Sequence, residues 1–332
     1  MSDLSTTAPA GNDAGGDDIV QPFMIELSGL RGRMLRLGPM LDDILGRHDY
    51  PLPVARLLGE TVALACLLSS GLKYEGIFTL QISGDGPVSL VVADVTSAGQ
   101  VRGYARYSGQ PVPVDPDSPL SLVGDGRMAF TVDQGEDTDR YQGIVALTGP
   151  TLADSFRHYF KQSEQLEVGV ALSVGPAAVS PGTGRSDGQS VGQSDDRATG
   201  SWRAGAIMIQ RLPDQERIVP AVDRDELWSR AMIFMESATQ QELLDPGLKT
   251  TDLLLRLFHE DGVRVFEPLA YHRGCRCSRE RILTTLASFQ PEERESLQTD
   301  GRIEVVCEFC NTAYEIDADE IADGPPEAGS TH

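Results

Sequence analysis

The sequence predicts an α+β protein in three parts: an N-terminal domain of mixed sheet and helix, a helical linker, and a small C-terminal domain organised by cysteines. Three observations predict it. Short apolar–polar alternations separated by Gly, Pro and Asp clusters recur between residues 76 and 147, the period-2 pattern of half-buried strands. Between residues 222 and 258 apolar residues recur at helical spacing instead. Beyond residue 268 apolar residues thin out and four of the five cysteines gather.

Taken in order, Met1–Asp18 (MSDLSTTAPAGNDAGGDD) is small and acidic, without the basic and apolar regions of a secretory signal, and is expected to be a disordered tail. Pro53–Ser70 has an apolar face and Gly71 as candidate C-cap, which predicts a buried helix carrying Cys66. Gly76–Ser83 and Val88–Val95 flank the turn Gly84-Asp85-Gly86-Pro87 and predict an antiparallel hairpin. Val101–Tyr107, Arg127–Val132 and Gly143–Leu147 extend it into a meander with helices over one face. Thr151 and Asp154 have capping-box spacing for a helix to Gln162.

Leu166–Val174 and Ala204–Leu212 return to strand, the second ended by Pro213. Between them Ser180–Ser201 is almost all Gly, Ser, Asp and Gln. Such a segment buries too little to offset its ordering entropy and predicts a flexible insertion. The first domain is therefore set at 19–213, with 180–201 inserted within it.

The linker spans 214–267. Asp223 and Glu226 offer an N-terminal cap pair for a helix with Leu227, Trp228, Ala231, Met232 and Met235 on one face, stopped by Asp245-Pro246-Gly247. Thr250 or Thr251 caps a second helix whose stripe of Leu253, Leu254, Leu257 and Phe258 must pack on something.

The four clustered cysteines read Cys275-Arg276-Cys277 and Cys307-Glu308-Phe309-Cys310, two close pairs with 29 residues between them. A tetrahedral thiolate zinc site needs paired ligands on tight turns and a longer excursion between them. Arg279–Leu297 supplies that excursion as helix. Residues 268–332 are thus expected to form a zinc-binding domain with one Zn2+ per chain on Cys275, Cys277, Cys307 and Cys310. The module is too poor in apolar residues to fold on its own core, whereas a structural zinc contributes about 10–16 kcal/mol of apparent binding energy. Four thiolates around Zn2+ carry net negative charge, and Arg273, Arg276, Arg279 and Arg281 offer compensation. Spacing alone fits a permanent zinc knuckle as well as a redox site; the tight C-x-C leans towards redox, because ionised thiolates are what oxidants attack first. His272 reads as a satisfied surface histidine and Cys66 as core.

The net charge of -22 gives a field of the wrong sign for phosphate. From residue 268 onward 6 Lys and Arg stand against 13 Asp and Glu, which disfavours a nucleic-acid-binding zinc ribbon as well. No apolar run reaches the ~18 residues of a membrane span; the best is Val62–Leu68. A cytoplasmic protein without nucleic-acid or membrane partners is expected, and cysteines clustered in a reducing compartment point to metal or redox chemistry. No Ser-His-Asp, paired-carboxylate or nucleotide motif stands out, and Gly84-Asp85-Gly86 joins two strands instead of opening a helix. No enzyme is expected, and no catalytic residue.

Several further segments, in order along most of the chain, carry a resemblance: Leu57–Leu68 (LLGETVALACLL), Leu80–Pro87 (LQISGDGP), Arg102–Arg106 (RGYAR), Tyr141–Val145 (YQGIV), His158–Leu166 (HYFKQSEQL), Leu254–Pro268 (LLRLFHEDGVRVFEP), Cys275–Arg281 (CRCSRER) and Glu304–Tyr314 (EVVCEFCNTAY). With them the chain resembles the redox-regulated holdase chaperones of the 33 kDa chaperonin (heat-shock protein 33) family. The resemblance implies a reduced, zinc-bound form that is a poor chaperone. Peroxide or hypochlorite would then form the disulfides Cys275-Cys277 and Cys307-Cys310, release zinc and unfold the module and linker. Newly exposed apolar surface, with Leu227, Trp228, Ile233, Phe234 and Leu257 as candidates, would bind unfolding client proteins without ATP and prevent their aggregation under oxidative stress. Family members dimerise when active, so a homodimer is expected on oxidation. The acidic tail and the 180–201 insertion look like additions to the family pattern. A constitutive zinc module on a protein-binding domain, and a thiol-disulfide oxidoreductase acting through C-x2-C, are the alternatives; the second lacks the βαβ context that motif wants.

Overall fold

The structure is a computed structural model, and it describes residues 16–109, 119–135, 141–177, 201–211 and 221–321. Most of the expected acidic tail, the insertion from 180 to 200, Leu212 and Pro213 lie outside the described residues. The chain divides into two compact units. The first runs to Arg273; the second begins at Gly274 and takes in Arg47–Asp49.

The first unit opens with β1 (Ile19–Ile25), β2 (Leu30–Leu37), α1 (Pro39–Leu45) and α2 (Leu52–Ser69). Five strands follow: β3 (Ile77–Gly84), β4 (Val88–Thr96), β5 (Gln100–Tyr107), β6 (Gly126–Asp133) and β7 (Tyr141–Ala146). Next come α3 (Leu152–Tyr159), β8 (Glu167–Pro176), β9 (Trp202–Arg211), α4 (Ala221–Glu236), α5 (Gln240–Leu244) and α6 (Thr250–Phe258). Three short strands close the unit: β10 (Val263–Val265), β11 (Leu269–Ala270) and β12 (His272–Arg273).

Two six-stranded sheets result. One has the order β10-β1-β2-β9-β8 with β11 also on β1; the other runs β12-β5-β4-β3-β6-β7. Every pairing is antiparallel except that of β12 with β5. The expected hairpin forms as β3 and β4, but the expected meander does not continue beyond β5: β6 pairs with β3, so the chain crosses over between β5 and β6.

Helix α2 is buried among residues of both sheets, from Leu35 and Leu37 on one to Leu80, Val91 and Val101 on the other. Arg56 and Glu60 interrupt it in sequence. As a helix of 18 residues it nevertheless has the length and composition of a membrane span, although those two charges leave it without an unbroken apolar run of that length. Most of it is buried in this fold, as a core helix is.

The opposite face of the first sheet presents Phe23, Ile25, Leu30, Met34, Ile207 and Ile209, and helices α4, α5 and α6 cover it. Alternation along β2 sends Leu30 and Met34 to this face while Leu35 and Leu37 enter the other core. The stripe of Leu253, Leu254, Leu257 and Phe258 thus packs on a sheet, with Phe258 stacked on Phe23 at 5.8 Å. Of the segment read as a linker, helices α4, α5 and α6 form the third layer of the first unit, and β10 joins the first sheet. Glycine permits the close approach: a Cβ at Gly205 would collide with the Leu243 carbonyl oxygen of α5, and one at Gly169 with the Met232 sulfur of α4.

Local expectations are corrected in several places. Asp17 and Asp18, assigned to the tail, are anchored. Asp17 pairs with Arg203, and the Asp18 carboxylate accepts from Gly38 and Met40 amides at 2.8 and 3.0 Å, capping α1 from a distance. Strands β1 and β2 have no counterpart in the sequence reading; at β1, Pro22 argues against a strand. Pro22 falls between the residues of β1 that pair with β10 and those that pair with β11, and offers its carbonyl to Phe266 N at 3.0 Å.

The capping box of Thr151 and Asp154 forms as expected. Asp223 instead lies inside the first turn of α4, and Lys249 holds the N-cap position of α6, leaving Thr250 buried within the helix. Gly71 follows α2 without the left-handed conformation of a C-cap glycine.

The second unit has α7 (Arg279–Ala287), α8 (Pro291–Leu297) and the hairpin β13 (Arg302–Val306) with β14 (Ala313–Asp317). The single helix expected over 279–297 is two, because Pro291 can start a helix but cannot continue one. Its core is Leu286, Ile303, Ile316 and Ile321.

Candidate metal centre

Cys275 and Cys277 lie in the irregular chain just before α7, whose start is fixed by Ser278 as N-cap. Cys307 and Cys310 lie on the turn of the β13–β14 hairpin. Cys307 N donates to Thr312 O at 3.0 Å, Asn311 N donates to Cys307 O at 2.8 Å, and Asn311 takes a φ of 55° to close the turn. Asparagine is among the residues that tolerate that conformation best.

These two turns bring four Sγ atoms within 4.8 Å of one another. Cys275 Sγ lies 3.7 Å from Cys307 Sγ, and Cys277 Sγ lies 3.4 Å from Cys310 Sγ. Tetrahedral thiolates on an ion at Zn–S ~2.3 Å have S···S edges of about 3.8 Å, so the cluster is close to the shape such an ion requires. All five cysteines are free thiols. Four sulfurs on two tight turns can hold a metal ion, and an all-thiolate set suits soft or borderline ions.

Hydroxyl groups sit beside two of the sulfurs. Tyr314 on β14 donates its phenolic hydroxyl to Cys277 Sγ at 3.2 Å, and Thr312 Oγ1 lies 3.2 Å from Cys310 Sγ. Burial pushes the Cys277 thiol up to about 12, the Tyr314 hydrogen bond opposing it and the neighbouring sulfurs adding to it. Burial also raises Cys307, against backbone amides from Cys310 and Phe309. At Cys310 burial works the same way but loses to the Thr312 hydroxyl and amide and to neighbouring sulfurs, which bring it down to about 6.

Three of the four arginines expected to compensate the thiolates are engaged elsewhere. Arg279 reaches Glu320 at 2.6 Å and the Glu315 carbonyl at 2.8 Å, Arg281 donates to the Arg276 carbonyl at 2.9 Å, and Arg273 pairs with Asp43. Hydroxyl and amide donors take that place. Thr312 and Tyr314, two and four residues after Cys310, were not singled out from the sequence, where nothing in the cysteine spacing marks them.

The other residues singled out lie apart from the cluster. His272 is exposed in β12. Cys66 is fully buried in α2, its thiol pushed well up by burial and its carbonyl accepting from Tyr271 at 3.0 Å, as expected of core. Of the residues considered for client binding, Leu257 is buried against the first sheet, Leu227, Trp228 and Phe234 are half-buried, and Ile233 is exposed.

Comparison with known proteins places these features. The family model described as Hsp33 protein matches residues 18–317. The chain is 41% identical over 308 residues to the 33 kDa chaperonin of Caulobacter vibrioides, covering 91% of this chain and 95% of that protein. It is 36% identical over 316 residues to the 33 kDa chaperonin of Ectopseudomonas mendocina, covering 95% and 97%. The crystal structure of the 33 kDa chaperonin from Thermotoga maritima shares the fold, with a TM-score of 0.72 at 24% identity over 92% of this chain and 96% of that one.

Proposed function

The chain belongs to the Hsp33 family of chaperones, and from that premise we propose that it is a redox-regulated, ATP-independent holdase, kept inactive while reduced by one Zn2+ on Cys275, Cys277, Cys307 and Cys310. The observation that carries this reading is a pairing of facts about the second unit: four sulfurs lie within 4.8 Å, and the core they accompany consists of four buried apolar side chains. So small a core leaves folding dependent on what the sulfurs hold.

When bound, the ion ties the two turns together and favours the ionised form of all four thiols. The remaining chemistry belongs to sulfur. A thiolate attacks peroxide, its oxygen–oxygen bond breaks and hydroxide leaves; the neighbouring thiolate then attacks the sulfenic sulfur and displaces a second hydroxide, giving a disulfide, with both hydroxides protonated from the solvent. Pairing Cys275 with Cys277 and Cys307 with Cys310 removes every ligand and with it the tie between the turns. In this reading the helices of the linker then loosen from the first sheet, and Phe23, Ile25, Leu30, Met34, Ile207 and Ile209 lose the cover of α4, α5 and α6. Such a face binds unfolding or partly folded proteins with no substrate turned over. The active form is a homodimer, and the setting is the bacterial cytoplasm, where thiols stay reduced until oxidants arrive.

The test measures zinc content and light-scattering chaperone activity on one sample before and after hypochlorite or warm peroxide, with dithiothreitol reversal. Zinc loss with a reversible gain of holdase activity supports the switch. Retained zinc, or zinc lost without activity, returns the four cysteines to a structural role.

A further inference from the structure

We infer that Tyr314 is a brake on the cysteine cluster: its phenol holds the Cys277 lone pair that oxidation must use, and so sets the rate at which the cluster releases its metal. The inference rests on the redox-switch reading above and adds the residue that controls its speed.

The geometry is built by the hairpin. Tyr314 stands opposite Val305 in the β13–β14 register, and its ring packs on the core of Leu286, Ile303, Ile316 and Ile321. That packing fixes the ring from one side, and the hydroxyl reaches Cys277 Sγ at 3.2 Å. Tyr314 therefore joins the C-x-C turn to the hairpin carrying Cys307 and Cys310 through a bond that does not involve another sulfur. The Cys310 thiol donates to Thr312 Oγ1 at 3.2 Å, so one sulfur of each pair has a hydroxyl against it.

The chemistry follows from that bond. Oxidation by peroxide takes two electrons from the C-x-C pair. One thiolate forms an S–O bond as the O–O bond breaks, and the hydroxide that leaves takes a proton from the buffered solvent. The other thiolate then forms the S–S bond as the S–O bond breaks, and a second hydroxide leaves as water. In either order Cys277 must offer a lone pair, to peroxide oxygen or to a sulfenic Cys275, and a phenol donating to that sulfur draws density from it. Hydrogen-bond donors outside the ligand shell also hold ligands in place, and losing one lowers metal affinity about 10- to 100-fold. Both effects have the same sign: without the hydroxyl, metal leaves faster.

Tyr314→Phe keeps the ring and removes the donor. Zinc-loaded, reduced wild type and variant are exposed to excess peroxide while a chromogenic chelator follows zinc, and both are loaded with Co2+ to read the thiolate-to-cobalt charge-transfer band. The expected result is a folded variant that releases zinc about 3- to 10-fold faster, the range one ordinary net hydrogen bond spans, with a shifted band. Wild-type release and an unshifted band overturn the inference. Tyr314→Leu removes ring and hydroxyl together; a faster rate there without one in Tyr314→Phe assigns Tyr314 to packing and overturns it too. Wild type that keeps its zinc under peroxide brings down the redox reading itself.

Discussion

The Arg36 guanidinium donates to the carbonyl oxygen of Glu242 at 2.8 Å, reaching from the C-terminal end of strand β2 to the last turn of α5. Its other terminal nitrogen meets the Asp245 carbonyl just beyond that helix. Arg36 is 2% exposed. A cation at a helix C-terminus satisfies carbonyls that have no partner within the helix and complements the dipole. Five residues of helix have little stability of their own, so this clasp helps hold the helical layer on the first sheet.

Arg36→Met keeps most of the volume but orphans both carbonyls. The expected loss is about 2–3 kcal/mol of stability, from hydrogen bonds to a charged donor, with amide exchange rising first over 240–258. Unchanged exchange in that segment would show that apolar packing alone seats the layer.

Gly205 is the partner of Arg36 in the β2–β9 register and leaves the space into which α5 presses. Gly205→Ala places a methyl against the Leu243 backbone, which cannot rotate away as a flexible side chain could. A cost of about 1–3 kcal/mol is expected for such overpacking, read as a lowered Tm. A wild-type Tm would mean that α5 shifts without loss.

How much of this was legible in sequence depends on where each signal lives. The strands from Ile77 to Ala146 were readable because alternation and turn residues are local. Strand β2 was not, since the burial of Arg36 is decided by α5, more than 200 residues away in the chain. Strands β10, β11 and β12 span two or three residues, too few to show a period, so the stretch Leu269–Arg273 was assigned to the wrong side of the boundary between the two units. The cysteine pairs announced themselves by spacing; Tyr314 did not, because it meets Cys277 only once a hairpin has folded.

Glu60 on α2, beside Leu57, Pro119 and Leu122, is pushed up to about 7 by burial, with Arg56 opposing. A carboxyl raised in the fold binds more protons folded than unfolded. Its stabilising contribution is therefore complete below the ordinary carboxylate range, near 4.5, and is lost as pH rises through about 7. Discounted for partial exposure, the loss is about 1–2 kcal/mol. Glu60→Gln should flatten the pH dependence of Tm between pH 5 and 8 by about that amount, whereas a parallel curve would show that the Glu60 carboxyl ionises freely in the fold.

Chelation separates the two units. The first has apolar cores on both faces of a sheet and needs no ion, whereas residues 274–321 have only Leu286, Ile303, Ile316 and Ile321 buried together. Four side chains cannot offset the ordering of that much chain. Removing metal from the reduced protein with a strong chelator, under dithiothreitol so that no disulfide forms, is therefore expected to abolish amide protection at Ile303 and Ile316 while leaving Val91 and Ile207 protected. Cys307→Ser should do the same without a chelator, because three thiolates lose most of the affinity that four provide. If Ile303 and Ile316 stay protected after the metal is gone, the hairpin folds on its own core, and loss of the ion could not by itself start the unfolding on which the proposed switch depends.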